Sequence, residues 1–132
     1  MGNWIPGDPT LVAQLLKISA SYSPPPPEGF VSPVTWGVEA NVRERFGKAG
    51  VAQDRISCSR DTWRFVYAGP PHELVAAFRD YYGPTMNAFA AARSTGREQQ
   101  LQEELEALFE AHNVSPEATV IPARYMRVTV EA

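Results

Sequence analysis

The stretch Phe78-Arg79-Asp80-Tyr81-Tyr82-Gly83-Pro84-Thr85-Met86-Asn87-Ala88-Phe89 decides how the chain is organised. A helix over residues 72–82 is expected to end here, because Gly83 favours a left-handed terminal conformation and Pro84 cannot continue the helical hydrogen bonds. Thr85 is then the expected N-cap of the next helix. The sequence therefore predicts a tight joint between two helices.

The joint carries two tyrosines, a methionine and an asparagine between two phenylalanines. Large apolar faces with a few polar groups line small-molecule pockets, and they line ordinary helix corners as well. Phe78 and Phe89 fit the apolar faces of the two helices, so we assign both to the core.

Hydrophobic periodicity assigns the remaining elements. Helices are predicted over residues 9–21, from Ser32 or Thr35 to Phe46-Gly47, and after the capping-box pattern Thr95-Gly96-Arg97-Glu98 as far as Asn113. Strands are predicted over residues 55–67 and 119–131, with Pro122 at a strand start or an edge. The apolar residues of the first strand change parity near Asp61, which predicts a bulge there.

A proline-rich segment follows the first predicted helix: Ser23-Pro24-Pro25-Pro26-Pro27-Glu28-Gly29. Its consecutive prolines favour a polyproline II conformation and are incompatible with a helix or a central strand. It is short and lies between ordered-looking segments, so we interpret it as a stiff connector. The alternative is a ligand for an aromatic-groove domain such as SH3 or WW.

Composition describes one ordinary globular domain of 132 residues, 44% hydrophobic and 20% charged, with a net charge of −3. Acidic and basic residues are mixed, so no nucleic-acid partner is expected. No stretch resembles a signal peptide or a membrane span, so no membrane partner is expected either. The single cysteine, Cys58, excludes an intrachain disulfide and fits a reducing compartment. We therefore expect a cytoplasmic protein.

The search for catalytic motifs finds no complete constellation. His72, His112 and Cys58 do not have the spacing of metal ligands. Ser57, Asp61 and His72 have the residue types of a catalytic triad but lack a nucleophile elbow. No glycine-rich phosphate loop is present. From the residues alone, the chain is a soluble α+β domain of unknown function.

Five segments nevertheless follow one another in a characteristic order: Asn3-Trp4-Ile5-Pro6, the proline-rich loop, Ser32-Pro33 with Trp36-Gly37-Val38-Glu39, Tyr81 to Phe89, and Ile121-Pro122-Ala123. Together they resemble the C-terminal half of class I S-adenosylmethionine-dependent methyltransferases. The most similar branch is the ubiquinone/menaquinone-biosynthesis type. The resemblance spans essentially the whole chain.

The resemblance implies an α/β, Rossmann-like fold of which residues 1–132 are a single partial domain, the substrate-side half. Asn3-Trp4 would lie at the carboxyl end of the fifth strand. In the family that strand covers one side of the following pair; here we expect it to be missing, which leaves one strand of the pair with an exposed edge. Residues 1–9 have turn chemistry throughout. Residues 55–67 and 119–131 would be the sixth and seventh strands, paired antiparallel at the sheet edge. Seen alone, the chain would be α+β with that strand pair and about five helices.

The implied cofactor is S-adenosylmethionine, but the family binds it through a glycine-rich loop in the half that this sequence lacks. We therefore expect a fragment that takes part in methyl transfer to a small-molecule acceptor when complete and is inactive alone. The alternative is a stand-alone small-molecule-binding or protein-interaction module on a remnant of the fold. A glycine-rich strand–loop–helix encoded upstream of Met1 would favour the fragment.

The same resemblance assigns a substrate-binding surface to Tyr81, Tyr82, Met86 and Asn87, with Trp36 close by. Aromatic faces and a thioether hold a flat or apolar molecule, and an amide orients a polar group on it. The alternative for Tyr81 and Met86 is plain core. No catalytic, cofactor-binding or metal-binding residue is assigned. The expected partners are a small-molecule substrate and either a second copy, bound through an exposed strand edge, or a missing N-terminal half.

Overall fold

The computed structural model describes residues 1–132 as a mixed chain of five α-helices and a three-stranded antiparallel sheet. The elements are β1 (Gly2–Trp4), α1 (Leu11–Tyr22), a 3-10 helix (Pro33–Gly37), α2 (Glu39–Lys48), a second 3-10 helix (Gln53–Arg55), β2 (Ile56–Tyr67), α3 (Pro71–Tyr81), α4 (Gly83–Ser94), α5 (Glu98–His112) and β3 (Thr119–Val130). The predicted α+β character and the predicted number of helices are confirmed. No helix is long and apolar enough to cross a membrane.

The sheet has the order β1-β3-β2, so β3 is the central strand. β2 and β3 pair antiparallel along their full length, as the sequence predicted. The third strand, β1, corrects the expectation that these two strands stand alone and that the first nine residues form only turns. Met1 explains the correction, because its amino group and its carbonyl both bond to the backbone of Val128 and draw the N-terminus onto the edge of β3.

The predicted bulge near Asp61 is wrong, because β2 pairs with β3 one residue to one residue from Ile56 to Tyr67. Instead, the apolar residues of β2 change parity because the two ends of the strand bury opposite faces. Ile56 packs into a small core on one face of the sheet, whereas Phe65, nine residues later, packs into the main core on the other face. One regular strand therefore carries two apolar patterns of opposite parity.

Two cores stabilise the chain. The main core lies between α1, α3, α4, α5 and one end of the sheet, and the smaller one lies under α2 at the other end. Both predicted core phenylalanines are buried in the main core, with Phe78 9% and Phe89 3% exposed. The ring of Phe78 makes edge contacts with Phe65, Tyr82 and Phe109 at centroid distances of 5.3 to 5.4 Å.

A single extended residue, Tyr82, forms the joint between α3 and α4. Its N–H donates to the Phe78 carbonyl and its carbonyl accepts from the Met86 N–H, each at 2.9 Å. The expected left-handed Gly83 and the N-cap Thr85 are both wrong, because Gly83 does not have positive φ and Thr85 lies inside α4, fully buried. α4 begins at Gly83, and Pro84 lies in its first turn, where the fixed φ of proline suits a helix.

Two other helix starts differ from prediction. The helix expected from Ser32 or Thr35 is divided into the first 3-10 helix and α2 by the extended residue Val38. The capping box before α5 does not form, because the Thr95 hydroxyl donates instead to carbonyls at the end of α4. Asn113 ends α5 as predicted.

Pro122 occupies an edge-like position although β3 is the central strand. The N–H groups of Val128 and Arg124 point to the β1 side, where they donate to the Met1 carbonyl and the Thr10 hydroxyl. The backbone N–H groups of the even-numbered residues of β3 therefore point to that side. β1 reaches only as far as Tyr125, and no ladder hydrogen bond is lost at Pro122.

Asp8 joins the start of α1 to β3. Its carboxylate accepts the Thr10 N–H at 2.9 Å, accepts the Thr10 hydroxyl, and pairs with Arg124 at 2.9 Å. Burial raises the pKa of Asp8, but the hydrogen bonds from Thr10 and the Arg124 charge outweigh burial, so the pKa lies below its ordinary value. The carboxylate is therefore held ionised where β1 turns into α1.

Candidate small-molecule site

The largest concavity is a groove of about 840 Å³ between β1, α1, the proline-rich segment and the α3–α4 joint. Its volume lies in the range of small-molecule sites, and its wall is mainly apolar. We call it the β1–α1 groove. Its principal apolar lining residues are Trp4, Ile5, Leu16, Phe30, Val34 and Pro84.

The floor of the groove is the end of β1 and the turn that follows it. The first 3-10 helix packs against this segment at Gly37, where a Cβ atom would lie 1.8 Å from the Trp4 carbonyl oxygen and 2.9 Å from Pro6 Cδ. Only a glycine permits so close an approach of two backbones. Gly37 thus fixes the distance between β1 and the segment that forms the facing wall.

The facing wall consists of Phe30, Ser32 and the first two residues of the first 3-10 helix, Pro33 and Val34. The proline-rich segment before them forms neither helix nor strand, as predicted, and contributes only Ser23 to the groove. Phe30 is 55% exposed, so its ring stands at the mouth of the groove with one side in solvent. The residues that follow the proline-rich segment therefore form this wall.

The joint contributes Tyr82 and Asn87 to the groove. The Tyr82 ring is held edge-on against Phe78. Burial raises the pKa of Tyr82, and a hydrogen bond with Trp4 only partly opposes this, so the hydroxyl stays protonated at neutral pH. Asn87 is exposed at the rim of the groove. Both side chains are placed to contact a bound molecule.

The other three predicted site residues lie elsewhere. Trp36 packs edge-on against Phe46 at 6.0 Å and under the Arg45 guanidinium at 4.5 Å, next to the smaller core. Tyr81 is 86% exposed and Met86 is 45% exposed, and neither lines the groove. The alternative of plain core for Tyr81 and Met86 is therefore wrong. The structure brings two of the five predicted residues together.

Two polar side chains of the groove were missed. Asn3 and Ser19 are lining residues of the groove, and their side-chain atoms Nδ2 and Oγ are buried below its surface with no hydrogen-bond partner in the protein. The sequence held a signal for Ser19, since it is a polar residue among the apolar positions of a helix. The only signal in the sequence for Asn3 was its position beside Trp4, because the first residues were not expected to form a strand.

Other positions do not form a catalytic centre. No three His, Cys, Asp or Glu side chains are grouped so that they could hold a metal ion. Cys58 lines a neighbouring cavity of about 240 Å³, which shares Ile5 and Pro6 with the groove. Burial raises the pKa of the Cys58 thiol, opposite to the shift that activates a nucleophile. His72 lies exposed in α3, outside the strand that carries Ser57 and Asp61.

Comparisons of the chain with models of known protein families, with curated proteins and with solved structures gave no match. The geometry and chemistry of the groove therefore carry the functional argument.

Proposed function

We propose that the chain is the substrate-side portion of an S-adenosylmethionine-dependent methyltransferase and binds a small-molecule acceptor in the β1–α1 groove. The observation that carries the proposal is that segments bearing the family resemblance, which are far apart in the sequence, line one apolar groove at the end of β1. Three segments that carry the family resemblance line it: Asn3 to Pro6, Ser32-Pro33, and the joint.

The arrangement of the strands also supports the proposal. The resemblance implies that the fifth strand covers one side of the antiparallel pair formed by the last two strands. β1, which contains Asn3-Trp4, covers one side of β3 in this way, and β2 pairs with the other side. The Rossmann-like origin of the sheet is part of the proposal.

The groove does not fit the cofactor itself. S-adenosylmethionine carries an ammonium group, a sulfonium group and ribose hydroxyls, which call for carboxylates or other strong acceptors. No aspartate or glutamate lines the groove, and its one charged residue is the cationic Lys17. The proposal therefore places the methyl donor outside this groove and assigns to the groove only the binding of the acceptor. The cytoplasmic location and the missing N-terminal half as partner belong to the same proposal.

A stand-alone small-molecule-binding module is the second candidate. It is favoured by the fact that one chain supplies every wall of the groove. Such a module would bind its ligand without any methyl donor, whereas the first candidate acts only with a cofactor-binding half.

The test joins the chain to the cofactor-binding half of a class I methyltransferase and measures transfer of a radiolabelled methyl group to a panel of small apolar alcohols, phenols and amines. We expect the joined protein to transfer the label and the isolated chain to show no saturable binding of S-adenosylmethionine at micromolar concentration by isothermal titration. Saturable binding by the isolated chain would contradict the proposal. A joined protein that folds and binds the donor but methylates no acceptor would favour the stand-alone module.

A further inference from the structure

The outer edge of β2 is a long strand edge without a partner. β2 is the last strand of the sheet, and no other strand pairs with its outer side. Because the even-numbered N–H groups of β3 point to β1, the odd-numbered residues of β3 bond to the odd-numbered residues of β2. The backbone groups of the even-numbered residues from Cys58 to Val66 therefore point outward. Of their N–H groups only that of Thr62 has an acceptor, the Asp61 carboxylate at 2.8 Å.

β2 lacks most of the features that keep strand edges from pairing. It contains neither lysine nor proline, and it has no bulge. Its charged residues are two arginines and one aspartate, and the aspartate is paired with Arg127 of β3. β2 also carries two exposed large apolar side chains, Trp63 at 56% and Val66 at 74%. A regular edge with exposed apolar side chains is suited to pairing with another strand.

The surface of the chain is larger than that of a compact monomer. The chain exposes 8055 Å², whereas a folded monomer of 14.6 kDa exposes about 6,900 Å². The difference of about 1,100 Å² exceeds the ~800 Å² that each partner of a standard interface buries. The chain therefore has enough additional surface for one interface of standard size.

The charges of β2 fit a second copy of β2 in one long register. Two strands related by a two-fold axis pair antiparallel, and the residue at the centre of the pair faces its own copy. A centre at Arg60 or Asp61 places that charge opposite itself. A centre at Thr62 places Arg60 opposite Arg64. A centre at Trp63 places no like charges opposite one another, and centres farther from the middle of β2 pair shorter segments.

From these observations we propose that the chain forms a symmetric dimer with a second copy of itself, in which the outer edges of the two β2 strands pair antiparallel, centred on Trp63. Residues 59–67 of each copy take part, and the two sheets join into one. Trp63 meets its own copy at a position without backbone hydrogen bonds, where cross-strand side chains are closest. On the other face, the Arg60 side chain lies opposite the exposed Val66 of the second copy. The dimer is independent of the proposed function, because no residue of β2 lines the β1–α1 groove.

Sedimentation velocity of the full chain tests the dimer. The apparent mass should rise from that of one chain to that of two between about 1 and about 500 μM. Arg64→Pro should weaken the dimer at least about thirtyfold, because the outward N–H of residue 64 is lost in both copies while the bonds to β3 remain. Arg64→Ala keeps that N–H, so it is the matched control and should dimerise like the wild type. A wild-type chain that stays monomeric overturns the proposal, and so does an Arg64→Pro chain that dimerises as tightly as the control.

Cysteine cross-linking tests the register and does not require the proline variant to fold. Only a residue at the two-fold centre lies opposite its own copy, so Trp63→Cys should give a disulfide-linked dimer under mild oxidation. Asp61→Cys and Thr62→Cys should not, and neither should the wild-type chain, whose free Cys58 lies away from the centre. A disulfide that forms at Asp61→Cys or Thr62→Cys as readily as at Trp63→Cys overturns the register. The absence of a disulfide from all three variants overturns the pairing of the β2 edges.

Discussion

Replacing Gly37 by alanine tests the contact that shapes the β1–α1 groove. Gly37 is buried where the first 3-10 helix meets β1, and its φ is not in the left-handed region. The effect of Gly37→Ala therefore comes from space and not from backbone conformation. The added methyl group would lie 1.8 Å from the Trp4 carbonyl oxygen and 2.8 Å from its carbonyl carbon.

A Cβ atom does not approach a carbonyl oxygen within 3.0 Å, so β1 and the 3-10 helix have to move apart by at least 3.0 − 1.8 = 1.2 Å. Both neighbours are backbone and have no rotamer into which they can turn away. Overpacking of this kind costs about 3 kcal/mol. In a chain of this length, that loss corresponds to a fall in melting temperature of about 10 °C.

Thermal and urea unfolding, followed by circular dichroism and tryptophan fluorescence, measure the loss. Gly83→Ala is the matched control, because a Cβ atom at Gly83 meets no atom within 4 Å and its φ is not positive. The control should stay within about 0.5 kcal/mol of wild type. If Gly37→Ala is as stable as Gly83→Ala, the close packing of the 3-10 helix on β1 is wrong, and so is the shape of the groove.

Three further outcomes follow from single side chains. The pKa of Asp8 in the folded chain lies below its ordinary value, so the Asp8 carboxylate stabilises the fold above the ordinary pKa, and this stabilisation is lost as pH falls through the folded pKa. Asp8→Asn should therefore lower the free energy of unfolding in urea by about 2 kcal/mol at pH 7 and by much less near pH 2. Asp80→Asn, at an exposed position, is the control and should have no effect. Thr85→Val should stabilise the chain by up to about 1 kcal/mol, because it removes a fully buried hydroxyl without a partner; a clear loss in calorimetry would show that Thr85 has a partner. In the chain joined to a cofactor-binding half, Asn87→Ala should lower turnover and leave the melting temperature almost unchanged, whereas the control Met86→Ala should leave turnover unchanged. If Asn87→Ala instead lowers the melting temperature by several degrees and keeps full activity, Asn87 is a structural residue.

The long elements were predictable because their signals are local. β3 and α5 carry apolar residues at the periods of strand and helix, and Asn113 ends α5 as its type suggests. The α3–α4 joint was also located correctly. Its geometry was not, because Gly83-Pro84 is compatible both with ending one helix and with starting the next. The extended conformation of Tyr82 selects the second possibility.

The errors arise where distant parts of the chain decide the local structure. β1 forms only because β3, more than 100 residues away, offers its edge to Met1 and the following residues. The parity of β2 changes because helices cover opposite faces of the sheet at its two ends. Periodicity within one segment cannot distinguish that arrangement from a bulge.

The candidate site was predictable only in part, because the chemistry of a side chain can be read from the sequence but its position in the fold cannot. Tyr82 and Asn87 were identified from their chemistry, and both line the groove. Tyr81 and Met86 have the same chemistry, but they lie on exposed helix surfaces, and Trp36 packs under Arg45. Asn3 and Ser19 become notable only when their missing hydrogen bonds are seen, and that information requires the fold.

The central claim is that the β1–α1 groove binds a small apolar molecule, and chemical-shift mapping tests it most directly. Titration of the isotopically labelled chain with 1-naphthol should give saturable backbone amide shifts at Asn3, Ser19, Phe30 and Asn87. The amides of Glu39 and Cys58, which line the small neighbouring cavity but not the groove, should stay unchanged. Saturable shifts confined to Glu39 and Cys58, or to the exposed surface around Tyr81 and Met86, would contradict the claim.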